Sequence, residues 1–495
     1  MIREADFPAG WKLAKISDVA EVNPRFDKNS VSDDLEVSFV PMPAVAAESG
    51  AIDVTETRRF ATVKKGYTGF LEGDVLFAKI TPCMENGKMA VVPALKNNVG
   101  FGSTEFHVLR PKPGILPEYL YYFVSAKPFR YEAEHNMTGA VGQKRVPAAY
   151  LSGRDIPVPP SDIQRRIVDK IEALFSELDK GVESLKTARE QLKIYRQAVL
   201  KHAFEGKLTA RWREENADKL ESPEQLLARI QQEREARYQQ QLQEWKAVVK
   251  AWEKNGKEGK KPGRPRRSAS LKEVPEDVLR NLPSLPVGWT YIRLGEVIDE
   301  PNYGTSKKCD YGVQGKGVLR IPNIVKGVVD ASDLKFACFD DDEIENYRLQ
   351  SGDLLTIRSN GSVSLVGRCA LISEKETQYL YAGYLIRLRP NANLVYPEFL
   401  LMALSSHCLR SQIEGVAKST SGVNNINAGE IQHLIVPICD KGEQYEMLQH
   451  IERVFPLIDL TENEIERRLL QAEILRQSIL NKALSGKLVI KNDDG

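Results

Sequence analysis

Clustered cysteine and histidine are missing from this 495-residue chain. Its six cysteines and six histidines are scattered, with no CxxC pair and no histidine at metal-ligand spacing, so neither a zinc site nor a redox motif is predicted. Long apolar runs are also missing, because none reaches the ~18 residues that a membrane span needs. The polar start, from Met1 to Asp6, does not resemble a signal peptide. We therefore expect reduced thiols in a cytoplasmic protein.

Catalytic motifs are absent as well. The sequence contains no phosphate-binding loop, no GxGxxG after a strand, no HExxH and no GxSxG. The glycine run Gly312-Val-Gln-Gly315-Lys-Gly317 has a different spacing and predicts a turn. An excess of charge of one sign is missing too, since the net charge is +1, which argues against general coating of nucleic acid. We therefore expect a non-catalytic chain without a cofactor of its own.

A long heptad-like run between Ser161 and Lys207 is the first strong signal that is present. Its apolar residues recur at steps of three and four, which predicts a helical rod whose seam needs a partner. The seam residues are Ile163, Ile167, Ile171, Leu174, Leu178, Val182, Leu185, Ala188, Leu192, Tyr195 and Val199. A shift of 280 finds most of this seam again near the end of the chain, and both runs stop at Gly-Lys-Leu, with Gly206 and Gly486. The partner rod is therefore predicted in the same chain.

Short sequence words upstream of the two rods repeat with nearly the same offset. The pairs are Phe7-Pro-Ala-Gly10-Trp11 with Leu285-Pro-Val-Gly288-Trp289, Gly73-Asp74 with Gly352-Asp353, Arg110-Pro111 with Arg389-Pro390, and Pro117-Glu118 with Pro397-Glu398. The offsets drift only from 278 to 280, so the chain is a tandem repeat. Between these words, β-branched runs bounded by Gly and Pro predict strands, and proline-started segments predict helices. We predict an α+β fold of two globular domains separated by two long helices.

We predict five segments along the chain. They are a first globular domain at 1–157, a first long coiled-coil helix at 158–209, a helical insert with a basic Gly/Pro linker at 210–285, a second globular domain at 286–437, and a second long coiled-coil helix with a tail at 438–495. The insert has no counterpart in the second half of the chain. It therefore interrupts an otherwise regular duplication.

The insert leaves two alternatives open at each of its parts. Its predicted helix, from Ser222 to about Trp252, either packs on the rods, which we favour, or docks another subunit through its two tryptophans. The linker carries nine Lys and Arg against two Glu between Lys250 and Lys272. Its run Pro262-Gly263-Arg264-Pro265-Arg-Arg267 either resembles an AT-hook, which follows a narrow minor groove, or is a solvated basic linker, which we favour.

Polar loops of the repeated domains carry side chains that suit DNA. Arginine can bond a guanine edge and asparagine an adenine edge, while hydroxyls and loop N–H groups suit phosphates. The candidate DNA-binding residues of the second domain are Arg320, Asn323, Arg358, Ser359, Asn360, Ser362, Ser421, Asn424 and Asn425. Those of the first domain are Lys79, Thr81, Asn86, Lys88, Gln143, Lys144 and Arg145. Any one of them could instead be a solvated or turn-capping side chain, but their recurrence at equivalent places with altered chemistry favours two reading sites.

With these features the chain resembles the specificity subunits of type I restriction–modification systems. The likeness is carried by the paired Pro-x-Gly-Trp starts, the paired Gly-Asp strands and the paired rod ends, together with Gly206-Lys-Leu-Thr-Ala-Arg-Trp-Arg213 and Thr420-Ser-Gly422. The resemblance implies two target-recognition domains, each reading one half of a bipartite asymmetric DNA site. It also implies two antiparallel long helices with pseudo-two-fold symmetry, two adenine methyltransferase subunits and restriction subunits as partners. Those partners would hold S-adenosylmethionine, ATP and Mg²⁺.

The two halves also depart from each other, and functions of other classes compete. Pro41 and Ala44 align with Arg320 and Asn323, which suggests that the two halves read different sequences. One competing function is a coiled-coil interaction scaffold, whose salt-dependent behaviour would not change when duplex DNA is added. Another is an enzyme with an unrecognised site, which would turn over its substrate without a partner.

Overall fold

The computed structural model describes residues 7–140, 142–257, 262–265, 271–417 and 422–488. Within it the chain divides into two compact units. The first unit consists of residues 1–188 and 463–495, and the second unit consists of residues 189–462. Each unit is therefore built around one of the two globular domains of the repeat.

The first globular domain is assembled from short strands and helices. Its strands are β1 (Lys12–Lys15), β2 (Ala20–Val22), β3 (Glu36–Val40), β4 (Thr57–Arg59), β5 (Thr68–Phe70), β6 (Val75–Ala78), β7 (Met89–Val91), β8 (Gly100–Gly102), β9 (Phe106–Pro111) and β10 (Asp155–Val158). Its helices are α1 (Ile16–Val19), α2 (Phe60–Val63), α3 (Pro117–Ser125), α4 (Lys127–His135) and α5 (Ala148–Gly153). Two sheets, ordered β2-β9-β6-β7 and β4-β3-β8-β5, form the body of the domain, and β1 pairs with β10.

The first long helix, α6 (Ser161–Phe204), follows this domain and leads into the insert. The insert contains α7 (Ala210–Glu215), α8 (Pro223–Lys254) and α9 (Glu276–Leu279). Helix α8 begins at a capping box, where the Ser222 hydroxyl accepts a hydrogen bond from the Gln225 N–H. Leu226 and Ile230 are buried in the same core as Val199 of α6. The first turns of α8 therefore belong to the core of the second unit, and the choice between packing on the rods and docking another subunit stays a prediction.

The basic linker is described only in part. The Trp245 indole Nε1 donates a hydrogen bond to the Pro262 carbonyl at 3.0 Å, which places the start of the AT-hook-like run against α8. Arg266 and Arg267 of that run lie outside the described residues. The choice between a minor-groove arm and a solvated linker therefore stays as the sequence leaves it.

The second globular domain repeats the design of the first. Its strands are β11 (Thr290–Arg293), β12 (Asn302–Tyr303), β13 (Lys316–Leu319), β14 (Ile324–Val325), β15 (Val328–Val329), β16 (Lys335–Ala337), β17 (Leu354–Ile357), β18 (Ser359–Asn360), β19 (Cys369–Leu371), β20 (Leu380–Tyr381), β21 (Leu385–Leu388), β22 (Asn424–Asn425) and β23 (Ile435–Ile438). Its helices are α10 (Asp341–Asn346), α11 (Pro397–Ser405), α12 (His407–Ala417) and α13 (Ala428–Gln432), and the second long helix, α14 (Lys441–Leu484), follows. Short 3₁₀ turns in the two domains span Lys28–Ser30, Met42–Ala44, Lys96–Asn98, Leu294–Glu296, Ile321–Asn323, Val363–Leu365 and Glu374–Gln378.

The two domains share strand register as well as strand order. Val75 of β6 faces Leu109 of β9, and Leu354 of β17 faces Leu388 of β21, an offset of 279 for both partners. The parallel pair β3–β8 recurs as the parallel pair β13–β20 with an offset of 280. A one-residue slip would turn every side chain of a strand to the opposite face. The duplication is therefore preserved at the level of individual backbone pairs.

A buried ion pair explains the repeated Gly-Asp words. Asp74 accepts two hydrogen bonds from Arg110, at 2.8 and 2.7 Å, and Asp353 accepts two from Arg389, at 2.7 and 2.8 Å. Both aspartates are 1% exposed, and each also accepts a backbone N–H of the turn before it. Such two-pronged pairs fix geometry as well as charge. They tie the central strand to its neighbour in each domain.

Halves of the two long helices pack together within each unit. The second unit contains the end of α6 and the start of α14, whereas the first unit contains the start of α6 and the end of α14, so the helices pack antiparallel. Arg196 forms an ion pair with Asp459 in the second unit. The equivalent pair in the first unit joins Arg476 to Asp179 at 2.6 Å. The predicted fold class, an α+β tandem repeat with two long antiparallel helices, is confirmed.

One detail of the predicted seam is wrong. Tyr195, a predicted seam residue, is 51% exposed, and Leu475, which lies at the equivalent place 280 residues later, is 50% exposed. The buried side of α6 passes instead through Leu192 and Val199. At this turn the inward place is taken by the next residue, Arg196, which pairs with Asp459 and lies 4.5 Å from the centre of the Phe455 ring, so Tyr195 faces outward.

Candidate nucleic-acid interface

In the second domain, two of the predicted loops meet as a miniature sheet. Strand β18 (Ser359–Asn360) pairs antiparallel with β22 (Asn424–Asn425) directly after the buried central strand β17. The Ile426 N–H donates to the Arg358 carbonyl at 2.9 Å and extends this pairing. We call residues 358–362 and 422–426 the second platform. Its side chains are half-buried or exposed, apart from the buried Ile426.

Arg358 is held in place at the edge of the second platform. Its Nε donates to the Asn425 Oδ1 at 3.1 Å, and its guanidinium lies 4.8 Å from the centre of the Tyr303 ring. The Tyr303 hydroxyl in turn accepts the Ala428 N–H at 2.9 Å. The two terminal amino groups of Arg358 make no hydrogen bond to a described residue. Those groups form the fork that pairs with the O6 and N7 atoms of guanine.

The amide and hydroxyl side chains of the second platform are partly used by its own turn. Asn360 Oδ1 accepts the Ser362 N–H at 2.9 Å, and Asn424 Nδ2 donates to the Gly361 carbonyl at 3.0 Å. The Ser362 hydroxyl lies 3.0 Å from the Ser364 hydroxyl. Each asparagine thus keeps one end of its amide for a further partner. Ser421, the remaining candidate of this loop, lies outside the described residues.

Arg320 and Asn323 belong to a separate turn at the end of β13, in the other sheet of the domain. Asn323 is 2% exposed; its Oδ1 accepts the Arg320 N–H at 2.7 Å, and its Nδ2 donates to the carbonyls of Asp330 and Asp333. Arg320 forms an ion pair with the Asp333 carboxylate at 3.0 Å. Because the amide of Asn323 is buried and fully used, we correct its assignment from base contact to turn structure.

The first domain forms a corresponding platform from its own two loops. Ile80 pairs with Arg145, the Thr81 N–H donates to the Lys144 carbonyl at 3.1 Å, and the Val146 N–H donates to the Lys79 carbonyl at 2.9 Å. We call residues 79–88 and 138–146 the first platform, of which 141 lies outside the described residues. Lys79, Thr81, Lys144 and Arg145 are thereby brought together.

Arg145 differs from Arg358 because all three of its side-chain nitrogens already donate hydrogen bonds within the domain. Its Nε and Nη2 donate to Glu105 at 2.9 and 2.7 Å, and its Nη1 donates to the Gln143 carbonyl at 3.1 Å. The hydrogen bonds from Arg145 lower the pKa of the Glu105 carboxyl below its usual range. Glu105 is therefore a carboxylate at neutral pH. The first platform thus presents an ion pair, whereas the second presents an arginine whose terminal amino groups are free of hydrogen bonds to described residues.

The remaining candidates of the first platform fall into two groups. Thr81 Oγ1 donates to Glu85 at 2.7 Å, and Lys88 Nζ donates to the Met42 carbonyl at 3.1 Å, so both side chains support the loop. Asn86, Gln143 and Lys144 are exposed, and their side chains make no hydrogen bond to a described residue. The exposed group is the one available to a ligand.

The two platforms correspond residue for residue along the repeat. Shifts of 279 or 280 relate Lys79 to Arg358, Ile80 to Ser359, Glu105 to Tyr384, Arg145 to Asn425 and Val146 to Ile426. The backbone bonds that join these residues recur with them. Glu105 and Tyr384 were not among the candidates. Their signal was available, because they occupy one repeat position just before matching strands yet differ completely in chemistry.

Comparison with known proteins identifies this architecture. A family model described as "Type I restriction modification DNA specificity domain" matches residues 8–186 and again residues 286–470. The two matches cover both halves of the repeat. The chain belongs to this family. A role in DNA sequence specificity within type I restriction–modification systems, as predicted, is thereby confirmed.

Relatives and solved structures agree with this family. The specificity subunit of the Escherichia coli type I restriction enzyme EcoAI is 29% identical, covering 91% of this chain and 78% of that protein. The EcoEI specificity subunit, also from Escherichia coli, is 26% identical over 96% and 83%. A solved chain, from work on complex assembly and conformational transition of the type I R-M system, has a TM-score of 0.67 at 19% identity, covering 97% of this chain and 99% of that one. The HsdS subunit from Thermoanaerobacter tengcongensis has a TM-score of 0.50 at 18% identity, covering 97% and 98%.

The specificity-subunit family is non-catalytic, and such subunits act within larger enzymes. Within the part of the chain that the structure describes, no group of three or more His, Cys, Asp or Glu side chains could hold a metal ion. No helix in that part is both long and apolar enough to cross a bilayer.

Proposed function

We propose that this chain reads a bipartite, asymmetric site in double-stranded DNA, with one half-site for each target-recognition domain. The domains are residues 1–157 and 286–437, and the long helices at 158–209 and 438–495 join them. The observation that carries this proposal is the pair of platforms, which share backbone pairing at an offset of 279 to 280 and differ in their side chains. Two domains that bind different DNA sequences need the same backbone scaffold with different polar side chains at the binding surface, and the two platforms have this arrangement.

The side chains of the second platform suit direct base readout. Arg358 offers an open fork that Asn425 and Tyr303 hold in position, and such a pre-oriented arginine pairs with guanine in the major groove. Asn360 and Asn424 each keep one amide end for an adenine edge. Ser359 and Ser362 can bond phosphates or base edges.

The first platform offers a different set of groups. Lys79 and Lys144 supply positive charge for phosphates, and Gln143 and Asn86 supply exposed amides for base edges. The paired Arg145 presents less net charge than an open arginine. Arg320 remains in the proposal only as a phosphate contact in the second domain, because Asp333 already holds part of its fork.

We propose that two adenine methyltransferase subunits and the restriction subunits of a type I complex bind this chain in the cytoplasm. This proposal rests on family membership, since the relatives are named as specificity subunits of type I restriction enzymes. S-adenosylmethionine, ATP and Mg²⁺ then belong to those partners. This chain then determines which DNA sequence is modified and takes no part in the chemical reaction.

The test is single-molecule sequencing of DNA from cells that express this chain with its methyltransferase subunit, compared with cells that express the methyltransferase alone. We expect modified adenines in a split motif only when this chain is present, which yields both half-sites at once. A stable complex that forms without any new modification would contradict the proposal and favour a coiled-coil scaffold.

A further inference from the structure

A tight turn beside the second platform displays an exposed aromatic ring. Tyr384 lies between β20 and β21, and its side chain is 65% exposed. Its carbonyl accepts the Arg358 N–H at 2.8 Å, so the tyrosine is fixed directly beside the arginine. The ring makes no hydrogen bond or aromatic contact with any residue that the structure describes.

The backbone on both sides of Tyr384 is held by hydrogen bonds. The Gly383 N–H donates to the Thr305 carbonyl at 2.7 Å, and the Leu385 N–H donates to the Ala382 carbonyl at 2.8 Å. The ring is therefore presented from a fixed support. Such positioning suits recognition, because less conformational freedom is lost on binding.

The chain next to this turn adds groups that fit a DNA backbone. Ser306 and Lys308 lie one and three residues after Thr305 and are exposed. A hydroxyl and an ammonium group suit phosphate oxygens. The Tyr384 turn is thus joined by backbone hydrogen bonds to Arg358 on one side and, through Gly383, to Thr305 at the start of a short polar, cationic segment on the other.

The equivalent position in the first domain is Glu105. Its carbonyl accepts the Lys79 N–H at 2.9 Å, just as the Tyr384 carbonyl accepts the Arg358 N–H. The Glu105 carboxylate accepts two hydrogen bonds from Arg145. In both domains this position therefore lies at the platform, yet one domain fills it with a carboxylate and the other with an aromatic ring.

We infer that the position of Glu105 and Tyr384 is a further specificity determinant of each target-recognition domain. Tyr384 contacts a base of the second half-site through the apolar edge of its ring, as apolar side chains contact the methyl group of thymine. Glu105 is a positioning residue that fixes the orientation of Arg145, so that the N–H groups that Arg145 does not donate to Glu105 and the Gln143 carbonyl contact the first half-site. This inference rests on the proposed function and adds residues to it.

The test compares Tyr384→Ala and Tyr384→Phe in the full complex with methyltransferase, by sequencing modified adenines across a genome. Tyr445→Ala is the matched control, since Tyr445 is 53% exposed in the same unit but lies at the start of α14. We expect Tyr384→Ala to relax base preference on the order of tenfold at one position of the second half-site. Tyr384→Phe and Tyr445→Ala should keep the wild-type motif.

Three outcomes would overturn the role of Tyr384. They are an unchanged motif in Tyr384→Ala, an equal loss of modification at all sequences, and a loss in Tyr384→Phe as large as in Tyr384→Ala. The proposed function fails separately, and only if the wild-type complex yields no split motif.

Glu105→Gln tests the other half of the inference. It keeps the shape of the side chain but removes the charge that holds Arg145. We expect an altered base preference confined to the first half-site, with hydrogen exchange of the central strands β6 and β9 unchanged. A wild-type motif, or a loss of strand protection that accompanies the loss of modification, would overturn the positioning role.

Discussion

The two platforms share their backbone pairing but differ in the hydrogen bonds that their arginines make. In the first, Arg145 donates from all three side-chain nitrogens to Glu105 and the Gln143 carbonyl. In the second, Arg358 gives only its Nε to Asn425 and keeps its terminal amino groups for another partner. The frame beneath them, including the buried Asp-Arg pair, is the same in both. Recognition can therefore diverge by exchange of a few side chains while the fold stays fixed.

The shared frame predicts the largest effects. Asp353→Ala removes the carboxylate partner of Arg389 and the acceptor of the Gln350 N–H in the turn, so we expect the second unit to lose about 3 kcal/mol of unfolding free energy. Asp74→Ala should cost the first unit a similar amount, because its geometry is equivalent. Hydrogen exchange of each central strand measures the two losses separately. A large loss in one unit and none in the other would break the equivalence of the frames.

Arg358 predicts the next largest effect, and only in one half-site. Arg358→Ala should cost about 1–3 kcal/mol of discrimination in the second half-site, because a bidentate guanine contact is lost. Arg358→Lys is the matched control, since it keeps the charge without the fork. We expect it to lose specificity and to retain most affinity for unrelated duplex, as measured by competition binding at fixed salt. Equal weakening on every sequence would assign Arg358 to a phosphate.

Asn360 predicts a smaller effect because its amide oxygen already serves the turn. Asn360→Ala should cost about 1 kcal/mol in the second half-site, through one lost contact and a looser turn. Asn360→Asp keeps the oxygen that accepts the Ser362 N–H but lacks the amide donor. If both variants relax the same base position, the amide donor contacts that base. A wild-type motif in Asn360→Asp would mean that Asn360 stabilises the turn and makes no base contact.

His107 predicts the smallest effect, a pH dependence of the first unit only. This imidazole lies behind the first platform, 2.8 Å from the Val146 carbonyl, and its burial lowers its pKa below the usual 6.5. The unfolded chain therefore binds a proton more readily, and the first unit loses stability as pH falls below about 6.5. The second unit has Ile386 at this position. Hydrogen exchange at pH 7 and pH 5 should show the loss in wild type and not in His107→Ile.

Much of this architecture could be predicted from the sequence because duplication leaves linear signals. The Gly-Asp words and the rod ends recur at offsets of 278 to 280, and the platforms lie at the ends of predictable apolar strands. The repeated words and the apolar patterns therefore predicted both the duplicated scaffold and the loops that form the platforms.

Side-chain pairing across the fold could not be predicted in the same way. Asn323 has the composition of a reading residue, but the carbonyls of Asp330 and Asp333 fold back over its amide. Glu105 was missed because its partner, Arg145, lies forty residues away across the sheet edge. Tyr195 was misplaced because an apolar pattern does not reveal that the neighbouring Arg196 takes the inward place through Asp459 and Phe455.

The central claim is that each domain reads its half-site independently through its own platform. The most direct test is a chain in which residues 1–157 are replaced by a second copy of residues 286–437, so that both globular domains are the second one. This chain is expressed with the methyltransferase subunit. Sequencing of modified adenines should then show a symmetric target in which both arms carry the second half-site of the wild-type motif. The original asymmetric target, or an assembled complex that modifies no defined sequence, would contradict independent reading by the two domains.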